Sequence, residues 1–184
     1  MSYVEMSKQA NRSIHASAIV CGNTGILIRG PSGSGKSQLA FDLILAGRAG
    51  QIPPATLVGD DRVHVGARNN AVVVRPADGL KGLIEIRGLG IRRCEFAGEA
   101  EVRLVVDLAA PDGERLPAYD ALMTGLCGVR LPRLPVAAGY RPLPIVLAAL
   151  TTEAVSGTAS LAGQPLSDDC QQAFGNHIRP MIAT

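Results

Sequence analysis

The run Gly30-Pro31-Ser32-Gly33-Ser34-Gly35-Lys36-Ser37 fits G-x-x-x-x-G-K-[ST] in full. Glycines at this spacing let several backbone N–H groups converge on one point, and a helix opening at the lysine adds its positive N-terminal end. That combination suits a polyphosphate. Lys36 would neutralise the β and γ oxygens of a nucleoside triphosphate, and the Ser37 hydroxyl would be a ligand of Mg²⁺. All eight residues are candidate nucleotide-binding positions, with Ser32 and Ser34 as loop filler of no fixed role. Of 18 basic residues only Lys8, Lys36 and Lys81 are lysine, so the lysine of the loop stands out. The loop alone names no reaction, because motors, switches, transporters and kinases share it.

Asp60-Asp61 closes a short apolar run, at the strand edge where many phosphate-loop proteins place an acidic residue on Mg²⁺. One carboxylate suffices for the metal. A second, near a bound γ-phosphate, could accept the proton of an attacking hydroxyl. Neighbouring side chains on a regular strand face opposite ways, so both can address one substrate only if the chain turns there. Spacing leaves open which aspartate is the base.

These residues need a scaffold. Residues 26–29 read as a strand into the loop, and Leu39, Ala40, Leu43, Ile44 and Ala46 recur at helical spacing, predicting a helix from 36 to about 46 stopped by Gly47 and Gly50. Residues 13–20 read as one strand paired with 26–29 across a turn at 21–25, and 56–59 as a strand parallel to 26–29 through a right-handed crossover. Runs at 63–65, 71–75, 83–86 and 101–107 predict antiparallel strands added to a small parallel core. Residues 131–141 are too rich in proline and glycine for a regular element, whereas 144–151 and 167–177 read as helices, the second capped by Ser167 with Asp168 and Asp169 in its first turn. The expected class is therefore α/β: a phosphate-loop core, a mixed sheet and C-terminal helices.

At 184 residues the chain predicts a single domain over 1–184, with residues 1–12 flexible. A content of 47% hydrophobic and 18% charged residues suits a compact soluble protein. Net charge +2, three Phe, three Tyr and no Trp offer neither the field nor the stacking surface of a nucleic-acid binder. No apolar run approaches the roughly 20 residues that cross a bilayer, and the first 13 residues contain no apolar core of a signal peptide, so a cytoplasmic protein is expected. Cys21, Cys94, Cys127 and Cys170 form no CxxC pair and are expected to be buried thiols in a reducing compartment. His64 and His177 receive no role.

Taken together, IHASAI (14–19), GPSGSGKSQLA (30–40), LVGDDRV (57–63) and LIEIRGLGI (83–91) resemble the HPr kinase/phosphorylase family, whose bifunctional enzymes act on a serine of the phosphocarrier protein HPr. The likeness runs in order over roughly residues 13–141, and its last motif is far more specific than the phosphate loop. The chain is similar to the catalytic domain of that family; longer members carry a further N-terminal domain before the position of Ile14.

The resemblance implies an active-site histidine at His15, a phosphate-binding catalytic lysine at Lys36, an Mg²⁺ ligand at Ser37 and a second metal-associated residue at Glu85. It makes Asp60 the proton acceptor of the kinase direction and the donor of the reverse one, with Asp61 expected on the metal, and Arg115 in GERLP the catalytic arginine. Residues 136–141 align with a segment used mainly for dephosphorylation. Arg92-Arg93 and AAGYR (137–141) depart from the family's commoner residues. The resemblance further implies transfer from ATP with Mg²⁺ to HPr, a reverse reaction with inorganic phosphate that gives pyrophosphate, and a homo-hexamer. Two other functions fit the same loop: a kinase of another protein or of a small molecule, and a nucleotide-binding switch without transfer. Beside Arg87, Arg92 and Arg93, the turn at 87–90 reads as an anion-holding loop.

Overall fold

The computed structural model describes residues 12–153. Along them run β1 (Arg12–His15), β2 (Ser17–Cys21), β3 (Thr24–Arg29), α1 (Lys36–Arg48), β4 (Ala55–Gly59), β5 (Arg62–Arg68), β6 (Ala71–Pro76) and β7 (Leu83–Ile86). Then follow β8 (Gly90–Arg93), β9 (Ala100–Leu108), a 3-10 turn at Tyr119–Leu122, β10 (Met123–Leu126), β11 (Val129–Val136) and α2 (Pro142–Thr151). One mixed sheet has the order β1-β5-β6-β9-β3-β2-β4, with β11 beside β9 and β10 beside β11; β7 and β8 form a separate hairpin.

β3 and β9 lie at the centre and are parallel, in register from Ile26↔Leu104 to Arg29↔Asp107. Both faces are covered, so alternate residues enter opposite cores, which is why these strands read as continuous apolar runs. Ile26, Ile28, Leu104 and Val106 join the core under α1, while Leu27 and Val105 join the other. α1 buries Leu39, Ala40, Leu43, Ile44 and Ala46 against β2, β3 and β4. Burial of each leucine contributes about 1.5–3 kcal/mol. The helix passes its expected end and reaches Arg48, since Gly47 has no side chain where a Cβ would lie 2.7 Å from the Ala55 nitrogen.

Several expectations are corrected. Residues 13–20 are two strands broken at Ala16: β2 pairs with β3 and β4, whereas β1 pairs with β5. β4 and β5 are consecutive and turn at Asp60-Asp61, so the segment beside them bends at the matching point. β2 lies antiparallel between β3 and β4; these two are parallel, as expected, but not neighbours. β9 is a central parallel strand rather than an antiparallel addition, and only its first half pairs antiparallel with β6. The proline-rich stretch is regular as far as Val136: β11 pairs with β10 through residues 129–132 and with β9 through 133–136, so each half is an edge on which proline is tolerated. α2 starts at Pro142, proline being preorganised for the first helical turn. Cys127 is exposed in the turn after β10 rather than buried; Cys21 is buried and Cys94 half-buried. The expected helix at 167–177, Cys170 and nearly all of the expected flexible start lie outside the described residues, although Arg12 already belongs to β1.

Candidate functional site

The matched bends at Ala16 and Asp60-Asp61 bring residues from four segments to the mouth of the phosphate loop. A cleft of about 440 Å³ is lined by Lys36 and Ser37 of the loop, by His15, by both aspartates, and by Glu85 and Arg87 of the hairpin. Ser32, Gly33, Gly35 and Gln38 complete the floor on the loop side.

The loop has the backbone its sequence demands. Gly30 sits at φ 148, where a Cβ would lie 2.8 Å from the Leu108 oxygen and 2.7 Å from the Ser34 Oγ. Gly35, at φ 93, caps α1 in a left-handed conformation open to glycine. Lys36 is buried, and its ammonium donates to the carbonyls of Gly30 at 3.1 Å and Pro31 at 2.9 Å. Burial pushes this amine below its ordinary value, against the opposing pull of Asp60 and Asp61. Gly30 and Pro31 thus serve through their carbonyls. Ser34 turns its hydroxyl inward, where it is buried without a hydrogen-bond partner.

The two aspartates occupy different environments. Asp60 is 4% exposed, and its carboxylate accepts hydrogen bonds from Ser17 Oγ at 2.5 Å, Ser37 Oγ at 2.9 Å and the Glu85 N–H at 3.1 Å. Asp61 has φ 65, the local turn that lets both carboxylates reach one cleft, and its side chain is 68% exposed. Its Oδ1 stands 3.4 Å from His15 Nε2. Asp60 is therefore enclosed and bonded to the hydroxyl expected on Mg²⁺, while Asp61 is the carboxylate open to an incoming group. The expected division put Asp60 at the acceptor and Asp61 on the metal; in the structure both carboxylates line the same cleft, and Asp61 is the more exposed of the two.

The Ser37 hydroxyl donates to Asp60, which leaves its oxygen lone pairs for a cation, a donor set that fits Mg²⁺. The Glu85 side chain is exposed on the same cleft, and its position on β7 is fixed by its own N–H on Asp60. Arg115 does not line the cleft; it is exposed in the connection between β9 and the 3-10 turn. Sequence reasoning missed Ser17 and Gln38. Ser17 carried a usable signal, a lone hydroxyl in an otherwise apolar strand, which must find a buried partner.

The fold and the loop geometry define a phosphate-loop α/β protein with two adjacent aspartates at the mouth of the loop. The family model described as HPr Serine kinase C-terminal domain matches residues 6–160, and the chain belongs to that family. It is 31% identical over 197 aligned positions to an HPr kinase/phosphorylase of Streptococcus pneumoniae (strain Hungary19A-6), covering 99% of this chain and 58% of that one. With the HPr kinase/phosphorylase of Enterococcus faecalis (strain ATCC 700802 / V583) it is 35% identical over 152 positions, 75% of this chain and 46% of the relative. The chain thus spans about half the length of these curated relatives. A solved structure, the Hpr(Ser) kinase/phosphatase from Coxiella burnetii, superposes with a TM-score of 0.60 at 26% identity, over 76% of this chain and 93% of that one. Among the described residues no helix is long and apolar enough to cross a membrane.

Proposed function

We propose that this protein transfers the γ-phosphate of ATP to a serine of HPr and, in reverse, uses inorganic phosphate to remove it as pyrophosphate. The observation that carries the reading is the pair of aspartates in unlike environments: one holds the Ser37 hydroxyl, and the other lies open beside His15 on the same cleft. A simple nucleotide switch has no need of an exposed carboxylate poised where an acceptor hydroxyl would enter.

In the forward direction Asp61 takes the proton of the acceptor serine while His15 fixes the orientation of its carboxylate. The serine oxygen forms its bond to the γ-phosphorus as the bond from that phosphorus to the β-phosphate oxygen breaks, releasing ADP. Lys36 moves from the carbonyls of Gly30 and Pro31 onto the phosphate oxygens, an exchange its flexible four-carbon stem permits. Ser37, Asp60 and Glu85 would hold Mg²⁺, which would supply positive charge to neutralise that developing on those oxygens. In reverse, an oxygen of inorganic phosphate attacks the phosphoserine phosphorus, the serine–phosphorus bond breaks, and Asp61 returns the proton to the serine oxygen. The same groups suffice for both directions.

Incubation with HPr, ATP and Mg²⁺, followed by phosphate, tests the proposal. Serine phosphorylation and then pyrophosphate release are expected; an unlabelled HPr beside a labelled alternative acceptor refutes the choice of substrate, and tight ATP binding with no transfer refutes the reaction. A homo-hexamer in the cytoplasm belongs to the same reading, and analytical ultracentrifugation tests the assembly.

A further inference from the structure

The most tightly bonded charges among the described residues lie outside the cleft. At the ends of the central strands, Arg29 on β3 grips Asp107 on β9 with Nε on Oδ1 and Nη2 on Oδ2, both at 2.7 Å. Arg133 on β11 donates from Nε to the same Asp107 at 2.5 Å and reaches Asp112 with Nη1 at 2.6 Å and Nη2 at 3.0 Å. The Nη1 of Arg133 also holds the Ala121 carbonyl at 2.9 Å. Arg133 and Asp107 are nearly enclosed, with 13% and 15% of their side chains exposed. Two guanidiniums and two carboxylates leave the cluster without net charge.

Three segments meet around this cluster: the phosphate loop, the connection carrying Arg115 and the stretch 136–141, the last two given roles in the reaction by the sequence resemblance alone. Arg29 is the residue immediately before Gly30, whose close approach to Leu108 seats the phosphate loop on the end of β9. Asp112 lies three residues before Arg115. The turn containing it packs on the start of the 136–141 segment: Ala110 N–H donates to the Val136 carbonyl at 2.9 Å, and a Cβ on Gly113 would lie 2.4 Å from the Ala137 nitrogen. The Arg133 fork therefore joins the strand end under the phosphate loop to the connection carrying Arg115, and that connection abuts 136–141. Bidentate arginine–carboxylate pairs define direction as well as distance, which a flexible lysine at the same place would not.

We infer that Arg133, through Asp107 and Asp112, is the positioning residue that sets the Arg115-bearing connection against the phosphate loop. This rests on the phosphotransfer reading for its consequence in catalysis, but the mechanical link is readable without any acceptor. Arg133 itself touches no nucleotide. Its removal allows the connection to drift while the loop, seated independently by Gly30 on Leu108, still binds ATP.

The test uses the full chain and two variants, Asp112→Asn, which alters a half-exposed member and preserves the core pair, and Arg133→Lys, which keeps the charge and loses the fork. In the parent chain a non-hydrolysable ATP analogue should slow amide exchange over residues 109–118. In both variants that slowing should vanish, while the dissociation constant of the analogue stays within about twofold. Transfer to serine should then fall at least tenfold in kcat with KM for ATP unchanged, and Asp112→Glu should restore much of it. Nucleotide-induced slowing that persists in both variants overturns the link. Altered exchange with unchanged kcat overturns its role in catalysis. A parent chain that transfers to no serine refutes the phosphotransfer reading, and the exchange experiment then decides the link by itself.

Discussion

The two aspartates give the sharpest test, because replacing each by asparagine should produce opposite patterns. Asp60 accepts three hydrogen bonds in a position 4% exposed. Bonds to a charged acceptor contribute about 1.5–3 kcal/mol each. Asparagine keeps one oxygen for the fixed Glu85 N–H and turns an amide toward the two serine hydroxyls, which can rotate to accept. The net loss is then about one charge-assisted bond, ~2 kcal/mol, and at 2–4 °C per kcal/mol for a domain of this size Asp60→Asn should lower Tm by about 4–8 °C. Ser37 would accept from the new amide instead of donating, so a lone pair turns from the cleft and the Mg²⁺ concentration needed for half-maximal transfer rises. Asp61→Asn should do neither. Its side chain is 68% exposed, asparagine is at ease at φ 65, and surface changes usually stay within about 0.5 kcal/mol. Transfer should nevertheless drop by about 10²–10⁴, the usual contribution of a general base. Differential scanning fluorimetry, titration of a fluorescent ATP analogue and initial transfer rates over a Mg²⁺ series read these effects. If Asp61→Asn transfers normally while Asp60→Asn loses transfer with Tm and Mg²⁺ requirement intact, the base is Asp60 and the argument from burial is wrong.

Ser34→Ala should raise the Tm of the nucleotide-free protein by about 2–4 °C, because it deletes a buried hydroxyl that has no partner and whose desolvation costs about 1 kcal/mol; a lower Tm in thermal melts would show that the hydroxyl is satisfied. In the native state Cys127 should be alkylated well before Cys21, which is buried, donates to the Pro53 carbonyl at 3.3 Å and has its thiol pushed up by burial; mass mapping after brief iodoacetamide treatment checks the order. Burial resists ionisation of Asp107, but the Arg29 and Arg133 guanidiniums overcome it and hold the carboxyl below its ordinary value; hydrogen bonding to Arg133 does the same for Asp112. The stability they contribute is present above the unfolded carboxylate value and is lost as pH falls through their lower folded values, so Tm should drop steeply below about pH 4. Asp112→Asn should flatten that limb, and parallel Tm–pH curves for the two chains would contradict the assignment.

Much of the scaffold was legible because local rules and the fold agree. The glycine loop, the apolar periodicity of α1 and the runs that became β3 to β7 all follow from residue type and spacing. The errors fall where neighbours, not local sequence, decide. Nothing in 131–136 reveals that β11 changes partner midway and so tolerates Pro132 and Pro135. Nothing in 101–107 says that β9 lies beside β3 rather than at an antiparallel margin, because a strand buried on both faces carries no alternation to mark its surroundings.

The same distinction explains why the site was half legible. Lys36 is held by carbonyls within its own loop, so a motif captures it together with the adjacent Ser37. The roles of Asp60 and Asp61 depend on a turn whose partner bend is at Ala16, more than forty residues away. That bend gives Asp60 the hydroxyl of Ser17 and Asp61 the imidazole of His15. Two identical side chains, adjacent in sequence, are made chemically unlike by one left-handed residue and one broken strand. The proposed reaction uses such unlikeness, with one carboxylate on the metal side while the other exchanges a proton. In the proposed reaction the adjacency of the aspartates permits the division of labour, and the paired bend gives each its different surroundings.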